Sequence, residues 1–121
     1  MRLFALRGAN SVEANEASAI LEGTDVLIRE LMDRNALIPD DMVSCIFTLT
    51  DDLDAEFPAL AARRLGLDHV PLLCAREVPV PGSLPRIVRL MLHYYAPEDH
   101  RPQHVYLGRA RALRSDLHAA Q

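Results

Sequence analysis

Arg89 stands inside the apolar run from Ile87 to Tyr95. A guanidinium in such a place must be paired or must bind an anion, because an isolated buried charge is very costly. Other polar groups recur at the ends of similar runs. Arg7 ends the first one, Glu77 follows another, Tyr106 lies in the last and Arg114 comes after it, while Arg63 and Arg64 sit together in a short helical segment. The guanidinium fork matches a carboxylate, so several converging arginines suit a small ligand with two carboxylates. Structural ion pairs and exposed strand ends are the alternative reading of the same residues. The sequence contains no G-x-G-x-x-G, Walker loop, H-E-x-x-H or G-x-S-x-G. Its five histidines are scattered and indicate no metal site. Nothing places a serine, a histidine and an aspartate together, so neither cofactor, metal nor nucleophilic chemistry has support.

The elements that must position these residues follow from periodicity and punctuation. Arg2 to Arg7 alternates weakly and reads as a strand that Gly8 ends. Asn15 suits a helix N-cap, with Glu16 in the first turn where the dipole favours an acid. Ile20, Leu21, Leu27, Ile28, Leu31 and Met32 then share one helical face, and Asn35 is a stop. Pro39-Asp40-Asp41 is a turn, and Met42 to Leu49 reads as a second strand. Pro58 opens and Gly66 closes a short helix over Ala59 to Leu65. His69 to Cys74, Ile87 to Tyr95 and His104 to Leu113 read as three further strands, followed by a short polar tail over 114–121 that is expected to be flexible. The order β-α-β-α-β-β-β fits one α+β domain over 1–121: a five-stranded mixed sheet with two helices on one face. The other face then needs a partner. Arginines in apolar strands suggest that it meets another subunit, with a polar pocket between.

Bulk properties narrow the classes. A chain of 121 residues is one domain and can bury a core without metal or disulfide staples. Its net charge of −4 and lack of a basic run argue against nucleic acid as the main partner. Cys45 and Cys74, with no metal-type spacing, read as reduced thiols in the cytosol. Arg7 interrupts the first apolar stretch too early for a signal peptide, and no stretch reaches the length of a membrane span. Together these point to a cytoplasmic protein without a membrane partner.

Segments in order over nearly the whole chain carry a resemblance. LRGANSVEANE (Leu6 to Glu16) resembles the R-G-A-T-T-V opening of the small trimeric class of monofunctional chorismate mutases. DLDAEFPA (Asp52 to Ala59), followed by Ala62-Arg63, resembles that family's second signature. VPLLCARE (Val70 to Glu77) resembles its strand with a cysteine and, three residues on, a glutamate. LPRIVRLM (Leu84 to Met91) resembles the strand bearing its key arginine. HVYL (His104 to Leu107) and ALRSDL (Ala112 to Leu117) resemble its last strand and closing tail. The resemblance implies a homotrimer with a pseudo-α/β-barrel core, active sites at the subunit interfaces, no cofactor and no metal.

It also implies roles. Arg89 is aimed at the ether oxygen of chorismate, Glu77 accepts a hydrogen bond from the ring hydroxyl, and Arg7 and Tyr106 bind substrate carboxylates. Cys74 is a polar wall near the ring hydroxyl, and Phe57, Ala59 and Leu73 are apolar walls. Arg63 and Arg114 lie at the mouth, and Leu113 also binds substrate. Three positions depart from the family pattern: Leu60 stands where relatives tend to have lysine, Leu73 replaces a threonine and Ser115 a proline. They bear on affinity more than on reaction type. They leave room for a close analogue, aminodeoxychorismate, as substrate. Two other classes compete: a non-catalytic small-anion-binding trimer of the same fold, and a deaminase-type trimer acting on small imines. Neither has need of an Arg89–Glu77 pair.

Overall fold

A computed structural model describes residues 1–113. Its strands are β1 (Arg2–Ser11), β2 (Met42–Leu49), β3 (Leu72–Arg76), β4 (Ile87–Ala96) and β5 (Val105–Tyr106), and its helices are α1 (Ala17–Asn35) and α2 (Ala59–Arg64). Short 3-10 helices cover Pro39–Asp41 and Gly108–Ala112. The sheet order is β3-β2-β4-β1-β5. β4 runs antiparallel to β1 and β2, while β5 is parallel to β1 and β3 parallel to β2, so the sheet is mixed as expected.

Both helices cover one face. Leu27, Ile28 and Leu31 of α1 and Ala59 and Ala62 of α2 pack on Leu6, Phe47, Leu90 and Leu92 of the sheet in one cluster. Alternation along the strands sends their neighbours to the other face. There Leu3, Val43, Ile46, Leu73, Met91 and Tyr95 remain exposed by between 38 and 62%. An apolar surface of that extent on one face marks a contact surface.

Several boundaries differ from those read off the sequence. Gly8 does not end β1. It sits where β1 passes closest to α1, and a Cβ there would meet Leu31 Cδ1 at 2.9 Å and Leu27 Cδ1 at 3.1 Å. Asn15 is not the N-cap of α1. Glu16 takes that place in extended conformation, without a side-chain cap bond. Asn15 is instead used at longer range: its Oδ1 accepts the N–H groups of Asp54 and Ala55, both at 3.0 Å, and its Nδ2 donates to Asp54 Oδ1 at 2.7 Å. That clip holds the loop leading to Phe57. β3 begins at Leu72 rather than His69, because the backbone turns first, with the Val70 N–H on the Leu67 carbonyl, and Pro71 has no N–H to give a ladder. The largest difference is β5, expected to run from His104 to Leu113. It has two residues, because Gly108 turns at φ +54°, where a Cβ would collide with Ser11, and the chain continues as a 3-10 helix.

Candidate active site

Registers across the sheet align residues in transverse rows that share a face. One row reads Tyr106, Ala9, Arg89, Thr48, Ala75 from β5 to β3, and lies on the face away from the helices. The adjoining row on that face holds Arg7, Met91, Ile46 and Leu73. Arg7 and Arg89 are therefore diagonal neighbours on adjacent strands, within reach of one small ligand. The opposite face at this level carries Gly8, Leu90, Phe47 and Cys74 against the helices.

Glu77 follows β3, and its N–H continues the ladder to the Leu49 carbonyl at 2.9 Å. Its carboxylate meets two groups from the row. Arg89 Nε lies 2.8 Å from Oε2, and Thr48 Oγ1 donates to the same oxygen at 2.8 Å. The Arg89 contact is an ion pair whose N–H is not directed along the N···O line, so Nε is a buried donor without an aligned acceptor. The Arg89 side chain is 43% exposed against 15% for Glu77. Salt therefore screens this pair, and its worth lies in orientation rather than stability. With both contacts on Oε2, Oε1 is left as an acceptor for a ligand hydroxyl, and the Arg89 Nη groups as donors.

Tyr106 and Leu113 border this face at its β5 end, where they pack with Ala9, Ile87 and Ala110. The chain thus brings together Arg7, Glu77, Arg89 and Tyr106, with Leu73 one row away. It does not bring Phe57, Ala59, Arg63 or Cys74 to them. Cys74 points to the helix side, where it lines a groove of about 380 Å³ with Phe57, Glu56 and Arg76. Phe57 is 69% exposed there, while Ala59 is buried in the core and Arg63 is exposed on α2. Arg114 lies outside the described residues. Burial, with Cys74 adding to it, pushes the Cys45 thiol up to about 12, so Cys45 offers no thiolate near neutrality. Among the described residues, no three His, Cys, Asp or Glu side chains gather as a metal site, and no helix is long and apolar enough to cross a membrane.

Sequence reasoning missed Thr48. Alternation puts Ser44, Ile46 and Thr48 on one face, and only the register, which sets Thr48 directly opposite Arg89, singles it out.

The family description chorismate mutase type I matches residues 3–117. Chorismate mutase AroH of Thermus thermophilus is 45% identical over 119 residues, spanning 96% of this chain and 97% of that protein. Chorismate mutase AroH of Bacillus subtilis is 37% identical over 120 residues, 97% of this chain and 94% of that one. The solved structure of the chorismate mutase from Clostridium thermocellum superposes with a TM-score of 0.88 at 44% identity, covering 91% of this chain and 99% of that chain. Likeness of sequence and of fold thus runs across nearly the whole length, and the chain belongs to the chorismate mutase type I family.

Proposed function

We propose that the face carrying Arg89, Glu77, Arg7 and Tyr106 is where this chorismate mutase rearranges chorismate to prephenate in aromatic amino-acid biosynthesis. The Arg89–Glu77–Thr48 network, flanked by Arg7 and Tyr106, is the observation that supports this most. The rearrangement breaks an ether bond and forms a carbon–carbon bond in one concerted step. It needs no proton transfer, nucleophile or redox partner. A protein accelerates it by holding the enolpyruvyl arm over the ring and by stabilising charge on the ether oxygen.

Arg89 takes the second task. It stays charged, and Glu77 fixes its planar fork. Negative charge grows on the ether oxygen as the bond breaks, so the guanidinium binds the transition state more tightly than the substrate and raises turnover. Glu77 Oε1 accepts the ring hydroxyl. Arg7 and Tyr106 take the carboxylates and hold the arm. The resemblance assigns Arg114, which lies outside the described residues, to the same task.

The apolar wall comes from elsewhere. Cys74 faces the opposite side of the sheet from Arg89 and lines a groove with Phe57, so one chain presents two half-sites rather than one closed pocket. A neighbouring copy supplies the missing half when the exposed apolar face packs against it. This supports the interfacial site and the homotrimer that the resemblance implies. The reading treats 1–121 as one catalytic domain working in the cytoplasm, with chorismate as its small-molecule partner.

The test is the loss of chorismate absorbance with the purified protein, run beside Arg89→Ala, with sedimentation to count subunits. Prephenate formation is expected, with kcat falling by about 10²–10³ in the variant, the usual cost of one such donor. No turnover from folded, assembled protein would overturn the reading.

A further inference from the structure

His104 stands just before β5 and has no part in the chemistry above. Its place in the ladder is unusual. β1 and β5 are parallel, with Gly8 opposite Val105 and Ala9 opposite Tyr106, and the Leu107 N–H donates to the Ala9 carbonyl at 2.9 Å. Continued one step back, the same pattern brings the Arg7 N–H to the Gln103 carbonyl. That carbonyl is already turned toward α1, where it accepts from Asn35 Nδ2 at 3.0 Å, while the Gln103 N–H donates to Asn35 Oδ1 at 2.8 Å. The Arg7 N–H donates instead to His104 Nδ1, at 3.0 Å. A side chain has replaced a backbone carbonyl in the ladder.

This bond fixes the state of the ring. A backbone N–H only donates, so Nδ1 must carry its lone pair, and the proton of the neutral imidazole sits on Nε2. The ladder between β5 and β1 is short: Gly8 pairs Val105 and Ala9 pairs Tyr106. Beyond it and the Leu107 bond, Arg109 N–H donates to Ser11 Oγ at 3.1 Å and Arg109 Nη2 to the Val12 carbonyl at 3.3 Å, both on the far side of Tyr106. The His104 bond thus extends the pairing of a two-residue strand by one step at its near end.

We propose that His104 is a positioning residue of the mutase site, its Nδ1 locking β5 to β1 so that Tyr106 and Arg7 hold the substrate carboxylates in register. This rests on the roles given above to Tyr106 and Arg7. His104 touches no reacting atom, so its loss acts on substrate capture and leaves the step in bound substrate nearly intact. The surroundings agree: partial burial and the Arg7 charge both lower the tendency of the ring to protonate.

The experiment compares His104→Asn, whose Oδ1 takes the place of Nδ1, with His104→Leu, which offers no acceptor. His104 lies at the surface with its ring only partly covered, so neither change empties the core. For His104→Leu, KM for chorismate is expected to rise about fivefold, the worth of one such bond, with kcat within about twofold. His104→Asn is expected to restore KM to near the parent value. Equal KM values for both variants, or a loss confined to kcat, would overturn the proposal. Nitrogen-15 NMR of the unmodified protein gives a check free of variants: Nδ1 must show as the unprotonated nitrogen near pH 7, and a protonated Nδ1 overturns the proposal. Absence of turnover in the unmodified enzyme would instead count against the mutase reading, so the two failures are distinct.

Discussion

Thr48→Val removes one oxygen and keeps the shape of the side chain, which makes it a clean probe of how Arg89 and Glu77 are held. Thr48 Oγ1 and Arg89 Nε both meet Glu77 Oε2 at 2.8 Å. Removing the hydroxyl leaves the carboxylate held by the arginine alone, and by a contact that is not aligned as a hydrogen bond. The carboxylate then swings about that contact, and Oε1 and the guanidinium lose their common frame. A hydrogen bond to a charged group contributes about 1.5–3 kcal/mol. The low end applies, because the ion pair survives and Glu77 retains some access to water. About 1.5 kcal/mol corresponds to a loss of roughly tenfold in kcat/KM. The melting temperature should move little, since Val fills the same space at a half-buried site. Thr48→Ser keeps the donor and is expected within about twofold of the parent. Initial rates of chorismate loss, with a thermal melt of each variant, decide the matter. Unchanged kcat/KM in Thr48→Val, or Thr48→Ser as slow as Thr48→Val, would refute the idea that this hydroxyl orients Glu77.

Other predictions follow from single contacts. Gly8→Ala forces a methyl against Leu31 and Leu27, and is expected to cost about 1–3 kcal/mol of stability, read as a lower denaturant midpoint. Burial, then the Arg7 charge, lowers the His104 pKa. The neutral ring is therefore the folded partner: its contribution is fully present above the unfolded value near 6.5 and is lost as pH falls from there through the lowered folded value. Melts of the parent and His104→Asn across that window should diverge on the acid side, the parent losing more, and parallel curves would contradict the assignment. Ending the chain at Leu113 removes Arg114 and should raise KM more than it lowers kcat; an unchanged kcat/KM would count against a role for that arginine.

Much of the fold is legible because burial here follows simple periods. Leu27, Ile28 and Leu31 repeat at helical spacing and do form the inner face of α1, and Met42–Leu49 is the strand its β-branched run implies. What misled was local chemistry used at long range. Gly8 reads as a stop, yet its lack of a side chain serves a helix that follows it in sequence. Asn15 reads as a cap, yet it holds a loop some forty positions away. His104 to Leu113 reads as a strand because its apolar residues alternate, but Gly108 is needed at positive φ against Ser11, a neighbour that only the finished sheet supplies.

The site divides along the same line. Arg89 was legible because a guanidinium in an apolar strand demands a partner, whereas Thr48 and His104 act through registers that no local pattern displays. One feature of its architecture was nevertheless open to reading. Cys74 and Glu77 stand three positions apart, and the backbone between them stays extended, with Glu77 still in the ladder to Leu49. In an extended chain an odd separation sends side chains to opposite faces. Within one chain the two therefore face opposite sides of the sheet, however close they lie in sequence. If both contact the same ring hydroxyl, as the family resemblance implies, two copies are the direct way to supply them. The alternation of a single strand thus already argues for a site that exists only in the assembly. On that argument, conditions that dissociate the copies should abolish turnover while leaving the Arg89–Glu77 pair within each chain in place.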